Sequence, residues 1–165
     1  MNIFKILIPC FLSFFLLQGF SSSKIYHHYR IIDGDTIERE GIKYRLHGID
    51  APEKKQTCKD KSNKEWQCGE QSKELLIRLH GSVGFYCDER NKDRYKRIIA
   101  QCFYKDQQSG NMKDVNAELV RNGLALAYRR YSKDYIEAEE YAHQNKLGIW
   151  QGVFDKPWEW RRKKK

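Results

Sequence analysis

Between Ile25 and Ile49 apolar and polar residues follow a β-type pattern broken by turn-formers. Tyr26, Tyr29, Ile31 and Ile32 form a β-prone run that leads into an Asp33-Gly34 turn, and Thr36 to Glu38 continues as strand. After a tight turn at Glu40-Gly41 the chain runs back from Ile42 to Ile49, with Ile42, Tyr44 and Leu46 on one face and Lys43 and His47 on the other. Pro52 ends this meander because it removes a backbone donor.

Lys54 to Gln67 has no sustained period and reads as an exposed, lysine-rich loop. Leu75, Leu76 and Leu79 then recur at helical spacing, which predicts a helix from Glu70 to His80 stopped by Gly81. Ser82 to Cys87 and Arg97 to Tyr104 are β-type runs around the charged segment Asp88 to Lys96, a hairpin with a long basic tip. Val115, Leu119 and Val120 mark one face of a short helix from Asp114 to Asn122, ended by Gly123. Beyond the apolar and aromatic stretch Leu124 to Tyr131, Asp134 and Glu137 suggest a capping box. The helix they start would run to Lys146, stop at Gly148 and turn Ala138, Tyr141 and Ala142 to the core.

The two ends differ from this pattern. Residues 1–23 carry Lys5, an apolar run from Ile6 to Phe20 and small residues at Ser21 to Ser23, which is signal-peptide architecture with cleavage near Ser23. An uncleaved membrane anchor is the competing reading, since the run is near the lower length of a span. Cys10, deep in that run and after proline, does not read as a lipid-attachment site. Residues 151–165 mix aromatics with a block of basic residues, which is usually a solvated terminus and is otherwise a tether for nucleic acid or membrane. The 165 residues between and including these ends suffice for one packed domain, placed at 24–150.

Charge and cysteines narrow the class. A formal charge of +9 points to a polyanionic partner: nucleic acid, an anionic membrane surface or a glycan. Losing Lys5 with the leader leaves the domain basic. Cys58, Cys68, Cys87 and Cys102 then form an even set in an exported chain, which favours disulfides. Three pairings are open; Cys58 with Cys68 and Cys87 with Cys102 is preferred because each closes a short local segment, although a hairpin register can disfavour the second. Zinc is the alternative, but the spacings lack any Cys-x-x-Cys.

The candidate chemistry is concentrated between Asp33 and Glu53. A strand, a turn and a returning strand bring Asp35, Arg45, Asp50 and Glu53 near one another. Two carboxylates suit a hard divalent cation, a third can take a proton from water, and an arginine can grip a phosphate through parallel hydrogen bonds. The plain alternative is an acidic turn and a surface ion pair.

Several separated motifs now stand in order: Asp-Gly-Asp-Thr from residue 33, Arg-Leu-x-Gly-Ile-Asp-x-Pro-Glu from 45, a helix, Asp-x-Tyr-x-Arg from 93, Val-Asn-x-x-Leu-Val-x-x-Gly from 115, and Lys146-Leu-Gly-Ile-Trp150. From about Tyr29 to Trp150 the chain closely resembles the staphylococcal nuclease (thermonuclease) family. The resemblance implies an α+β chain with the OB-fold, a five-stranded Greek-key β-barrel with three α-helices. It also implies a calcium ion held by Asp35, Asp50 and the Ala51 carbonyl, Glu53 as general base, and Arg45 and Arg97 on the scissile phosphate. Arg94 and Tyr95 match positions that contact a substrate phosphate, while Tyr128 and Tyr131 fall near base-stacking tyrosines. One departure is Lys96, where the family tends to have glycine; if that position needs a positive φ angle, a lysine there implies a changed turn and a displaced Arg97.

The function so implied is an exported, calcium-dependent nuclease, monomeric, with no membrane span once the leader is removed. It would hydrolyse DNA and RNA with little sequence specificity, leave 3′-phosphate ends, and reside in the periplasm or outside the cell. The alternative of an inactive nucleic-acid-binding OB module predicts loss of some of Asp35, Arg45, Asp50, Glu53 and Arg97, and all five are present. A basic glycan- or surface-binding protein explains the charge but not the ordered motifs.

Overall fold

A computed structural model describes residues 24–164 of the chain. The expected leader, Cys10 included, lies outside the described residues, as does Lys165. The early meander forms β1 (Arg30–Ile31), β2 (Thr36–Arg39), β3 (Ile42–Leu46) and β4 (Ile49–Asp50). Glu40 and Gly41, at φ 53° and 79°, make the β2–β3 turn, the backbone geometry whose twist matches a tight hairpin. Alternation then buries Ile37, Tyr44 and Leu46 and leaves Ile42 exposed at the turn.

The loop expected from Lys54 to Gln67 contains a small hairpin, β5 (Cys58–Lys59) with β6 (Glu65–Trp66), closed by the Cys58–Cys68 disulfide. Helix α1 (Cys68–His80) follows, two residues longer at its start than the leucine spacing implied, and buries Leu75 and Leu76. The hairpin β7 (Tyr86–Lys92) and β8 (Ile98–Lys105) runs further into the charged segment than expected, leaving a tip at 93–97. Cys87 and Cys102 are direct register partners across it and form the second disulfide. The pairing preferred from local spacing is therefore the one present.

β9 (Met112–Asp114) leads into α2 (Val115–Arg121), where the Asp114 carboxylate accepts the Asn116 and Ala117 N–H groups as an N-cap. After β10 (Leu126–Ala127) comes α3 (Ile136–Gln144). The expected capping box at Asp134 is absent: Tyr135 stands at the N-cap with no side-chain bond, because the Asp134 N–H is already drawn back to Ser132 Oγ. Ala142 is buried as expected, whereas Tyr141 is 39% exposed with the Arg121 guanidinium over its ring. A 3₁₀ turn at Gly148–Gln151 precedes α4 (Pro157–Lys163), which sequence reasoning treated as a solvated tail. Proline at its first position presets the helical φ angle, and burial of Pro157 fixes the helix on the body of the protein.

The main sheet orders its strands β1-β2-β3-β8-β7, with β9 pairing the C-terminal end of β8; β3 and β8 run parallel and the remaining pairs antiparallel. This curled sheet is the OB-fold expected; among the described residues it has six strands in place of five and is accompanied by four α-helices in place of three. The core, including Ile37, Tyr44, Leu46, Leu76, Phe85, Val115 and Leu119, fills the space between sheet, α1 and α2. A second cluster joins Cys58, Cys68, Leu126 and Ile149 to Trp66, Trp150, Phe154 and Trp158. It docks the C-terminal segment on the disulfide-closed hairpin. Among the described residues no helix is long and apolar enough to cross a membrane.

Two consequences are measurable. His80 Nε2 accepts the Tyr29 N–H at 3.0 Å, and burial lowers the imidazole pKa below its ordinary 6.5. Its contribution to stability is thus complete above about pH 6.5 and falls as pH drops from there through the lowered folded-state pKa. Thermal melting from pH 7.5 to 5 should show this decline, and His80→Gln should flatten it. Replacing Cys58 and Cys68 together by serine should cost about 2–3 kcal/mol in denaturant unfolding, and the unreduced parent should show no free thiol among Cys58, Cys68, Cys87 and Cys102.

Candidate active site

The Asp33-Gly34-Asp35 turn is folded on itself, with the Asp35 N–H donating to Asp33 Oδ1 at 3.1 Å. Gly34 is needed there, since a Cβ would lie 2.0 Å from Ser72 Oγ and 2.7 Å from the Ala51 Cβ. Asp35 then opens β2 with its carboxylate turned to β4, where Oδ2 accepts the Ala51 N–H at 2.8 Å. Arg45 on β3 is the register partner of Thr36. Its guanidinium lies between two carboxylates, 2.8 Å from Asp35 Oδ2 and 2.8 Å from Asp50 Oδ1.

Asp50 on β4 is fully buried and Asp35 nearly so, whereas the Glu53 side chain is 38% exposed. Burial pushes the Asp50 carboxyl above its ordinary pKa, and its bonds to Arg161 and proximity to Arg45 work in the other direction. Asp33, desolvated and beside Asp35, is pushed up to about 6. The acids therefore form a gradient from a covered interior carboxylate to an accessible one. Glu53 is held by its backbone: its N–H donates to Gln56 Oε1 at 3.1 Å and its carbonyl accepts the Gln56 N–H at 2.7 Å.

A residue that sequence reasoning missed completes the group. Arg161, from α4, places Nη2 at 2.7 Å from Asp50 Oδ2 and Nη1 at 3.2 Å from Asp50 Oδ1 and 2.6 Å from Glu53 Oε1. Burial opposes its charge, but the bonds to Asp50 and Glu53 outweigh burial and raise its pKa above the ordinary arginine value. Gln56, also missed, is fully buried and donates to the Asp155 carbonyl at 2.6 Å, linking the Glu53 turn to the start of α4. A signal did exist: Pro157 begins a helix, and Trp158 and Arg161 at i and i+3 share one of its faces.

Arg97 is not in this group. Its Nε and Nη2 each lie 2.7 Å from Asp93 Oδ2, and its N–H donates to Asp93 Oδ1 at 3.0 Å. Strand alternation nevertheless puts it on the face that carries Arg45, since Arg45 is the register partner of Ile99, two residues on. Lys96 adopts a left-handed φ of 64°, the conformation that favours glycine. Arg94 and Tyr95 form a separate exposed pair at the tip, Nη2 donating to the phenol oxygen at 2.8 Å. Tyr128 stacks in parallel on Trp158 with ring centroids 5.4 Å apart and meets Tyr131 edge-on at 4.8 Å. Arg129, Arg130 and Lys156 line the groove beside this aromatic group.

Among the described residues no three acidic, histidine or cysteine side chains converge as a ready cation cage. Guanidinium groups stand between the carboxylates instead. The donor set still fits a hard cation: its side-chain ligands are carboxylate oxygens, and the arrangement already seats a positive charge, that of Arg161, against both oxygens of Asp50.

An OB-fold whose meander carries clustered carboxylates and arginines is the class that fold and site define together. Residues 43–152 match the family described as staphylococcal nuclease homologue, and the chain belongs to that family. It is 37% identical over 122 residues to the succinoglycan biosynthesis protein ExoI of Rhizobium meliloti, a match covering 73% of this chain and 61% of that relative. It is 35% identical to an uncharacterized endonuclease of Haemophilus influenzae, over 82% of this chain and 72% of the relative. A micrococcal nuclease of Shigella flexneri is 33% identical over 82% of this chain and 79% of its own length.

Lys96 offers a direct test of the tip. Replacing it with glycine should relieve the left-handed conformation and stabilise the fold by about 0.5–1 kcal/mol in denaturant unfolding. The same change to alanine, which keeps a Cβ, should yield little of that gain.

Proposed function

We propose that the chain is a calcium-dependent nuclease that hydrolyses phosphodiester bonds of DNA and RNA and leaves 3′-phosphate ends. The observation that carries this is Arg45 set between Asp35 and Asp50, with Arg161 joining Asp50 to Glu53, on a chain of the staphylococcal nuclease family. Residues 1–23 act as the export signal, which puts the enzyme in the periplasm or outside the cell as a monomer.

Asp35, Asp50 and the Ala51 carbonyl would hold calcium, which would supply Lewis-acid polarisation of a phosphoryl oxygen. Glu53, the most accessible of the three acids, accepts a proton from the attacking water. The water oxygen forms a bond to phosphorus as the bond to the 5′ oxygen breaks. That oxygen keeps the electron pair and takes a proton from solvent, and the phosphate stays on the 3′ side. Arg45 holds the non-bridging oxygens, where charge develops in the transition state. Arg97 joins it by exchanging Asp93 for phosphate. Tyr128 and Tyr131 offer ring faces to the bases while Arg94 and Tyr95 meet the backbone phosphates, contacts that do not depend on base identity.

Single-stranded DNA incubated with the purified protein should be degraded with calcium and remain intact with a chelator, and the products should carry 3′-phosphate. Glu53→Gln should lower kcat by about 10²–10⁴-fold. Cleavage at the parental rate by this variant would remove Glu53 as the base; no cleavage by the parent in calcium or magnesium would favour an inactive nucleic-acid-binding module.

A further inference from the structure

We propose that Arg161 is a phosphate-binding residue of the active site, a third arginine delivered by α4 to the scissile phosphate; this rests on the nuclease function proposed above. Nothing in the family match reaches it, since that match ends at residue 152.

Position comes first. The Arg161 guanidinium bridges Asp50, a cation-binding carboxylate in the proposed mechanism, and Glu53, the proposed base. The guanidinium therefore stands between the residue that would hold the cation and the proposed base, where the phosphate under attack would be placed. Three hydrogen bonds to these acids use three of the five guanidinium N–H groups, leaving Nε–H and one Nη2 hydrogen for phosphate oxygens. By contrast, Arg97 has its guanidinium committed to Asp93.

Charge points the same way. Asp33, Asp35, Asp50 and Glu53 outnumber Arg45 and Arg161, so the group is acidic. A phosphodiester adds a further negative charge, and each guanidinium at the centre lowers the repulsion it meets. Without Arg161 the phosphate would face one more uncompensated carboxylate.

The helix is also built in. Gln56 bonds the Asp155 carbonyl, Lys59 and Val153 exchange backbone hydrogen bonds at 2.8 and 3.1 Å, Pro157 is buried, and Trp158 stacks on Tyr128. A strap that left the site when substrate arrived would not be held at so many points. Arg161, its side chain 41% exposed, can offer its two free N–H groups to a phosphate while α4 stays in place.

The test compares Arg161→Ala, Arg161→Lys and the exposed neighbour Arg162→Ala, each checked by thermal melting for an intact fold. Cleavage is measured in saturating calcium, binding of a slowly cleaved phosphorothioate oligothymidine by fluorescence anisotropy, and calcium affinity by calorimetry without DNA. Arg161→Ala should lower kcat about hundredfold, the size expected for losing one charge-stabilising donor, and weaken oligothymidine binding about tenfold without weakening calcium. Arg161→Lys should recover part of both losses, and Arg162→Ala should match the parent. Tighter calcium binding with parental or faster cleavage in Arg161→Ala would overturn the proposal and make Arg161 a plug that competes with the cation. If the parent itself fails to cleave, the nuclease proposal falls, and the oligothymidine arm alone decides whether Arg161 binds phosphate.

Discussion

Asp50 is a carboxylate with no exposed surface, and the structure around it is arranged to make that tolerable. A buried charge without partners costs several kcal/mol or is lost to protonation. Two guanidinium groups approach Asp50 from different directions, Arg45 from the neighbouring strand and Arg161 from the last helix. The first is a local consequence of the meander; the second requires the chain to return after 111 residues. This requirement links elements that otherwise have little in common. The β5–β6 hairpin, its disulfide, the tryptophans packed on it and Gln56 all serve to hold the segment that carries Arg161.

The same arrangement explains why a strongly basic protein can carry so acidic a site. Cations also stand at the tip, in the groove beside Tyr128 and along α4, while at the centre the acids outnumber the two guanidinium groups. A polyanion is drawn to the surface by the outer charge, while the centre keeps its capacity for a hard cation. Tyr128, Tyr131 and Trp158 pack together beside Arg129, Arg130 and Lys156.

Much of the fold was legible because its signals are local. The alternation around Tyr44 and Leu46, the leucines of α1 and the stop at Gly81 depend on near neighbours, and the disulfide partners lie 10 and 15 residues apart. The grouping of Asp35, Arg45 and Asp50 was legible for the same reason, since one hairpin brings them together. What escaped was non-local. Arg161 sits in a block of basic residues that looks like a solvated terminus, and only its partners across the fold distinguish it from Arg162. Gln56 gave no sign that it would be buried, because its role is to join two backbones 99 residues apart. The capping box at Asp134 failed to a closer competitor, Ser132, and Lys96 holds a conformation that glycine adopts more easily.

The separation between Asp50 and Arg161 also bears on the order in which the molecule comes together. Bringing two groups 111 residues apart into contact requires closing a long loop, and little rewards that closure until the intervening barrel exists to dock the helix. A chain emerging from its N-terminus has its acid cluster and Arg45 in place well before α4 can reach them. In that interval Asp50 has one cation where the finished protein provides two. The final helix thus docks on a barrel whose main core is complete without it, and the second cation reaches Asp50 last.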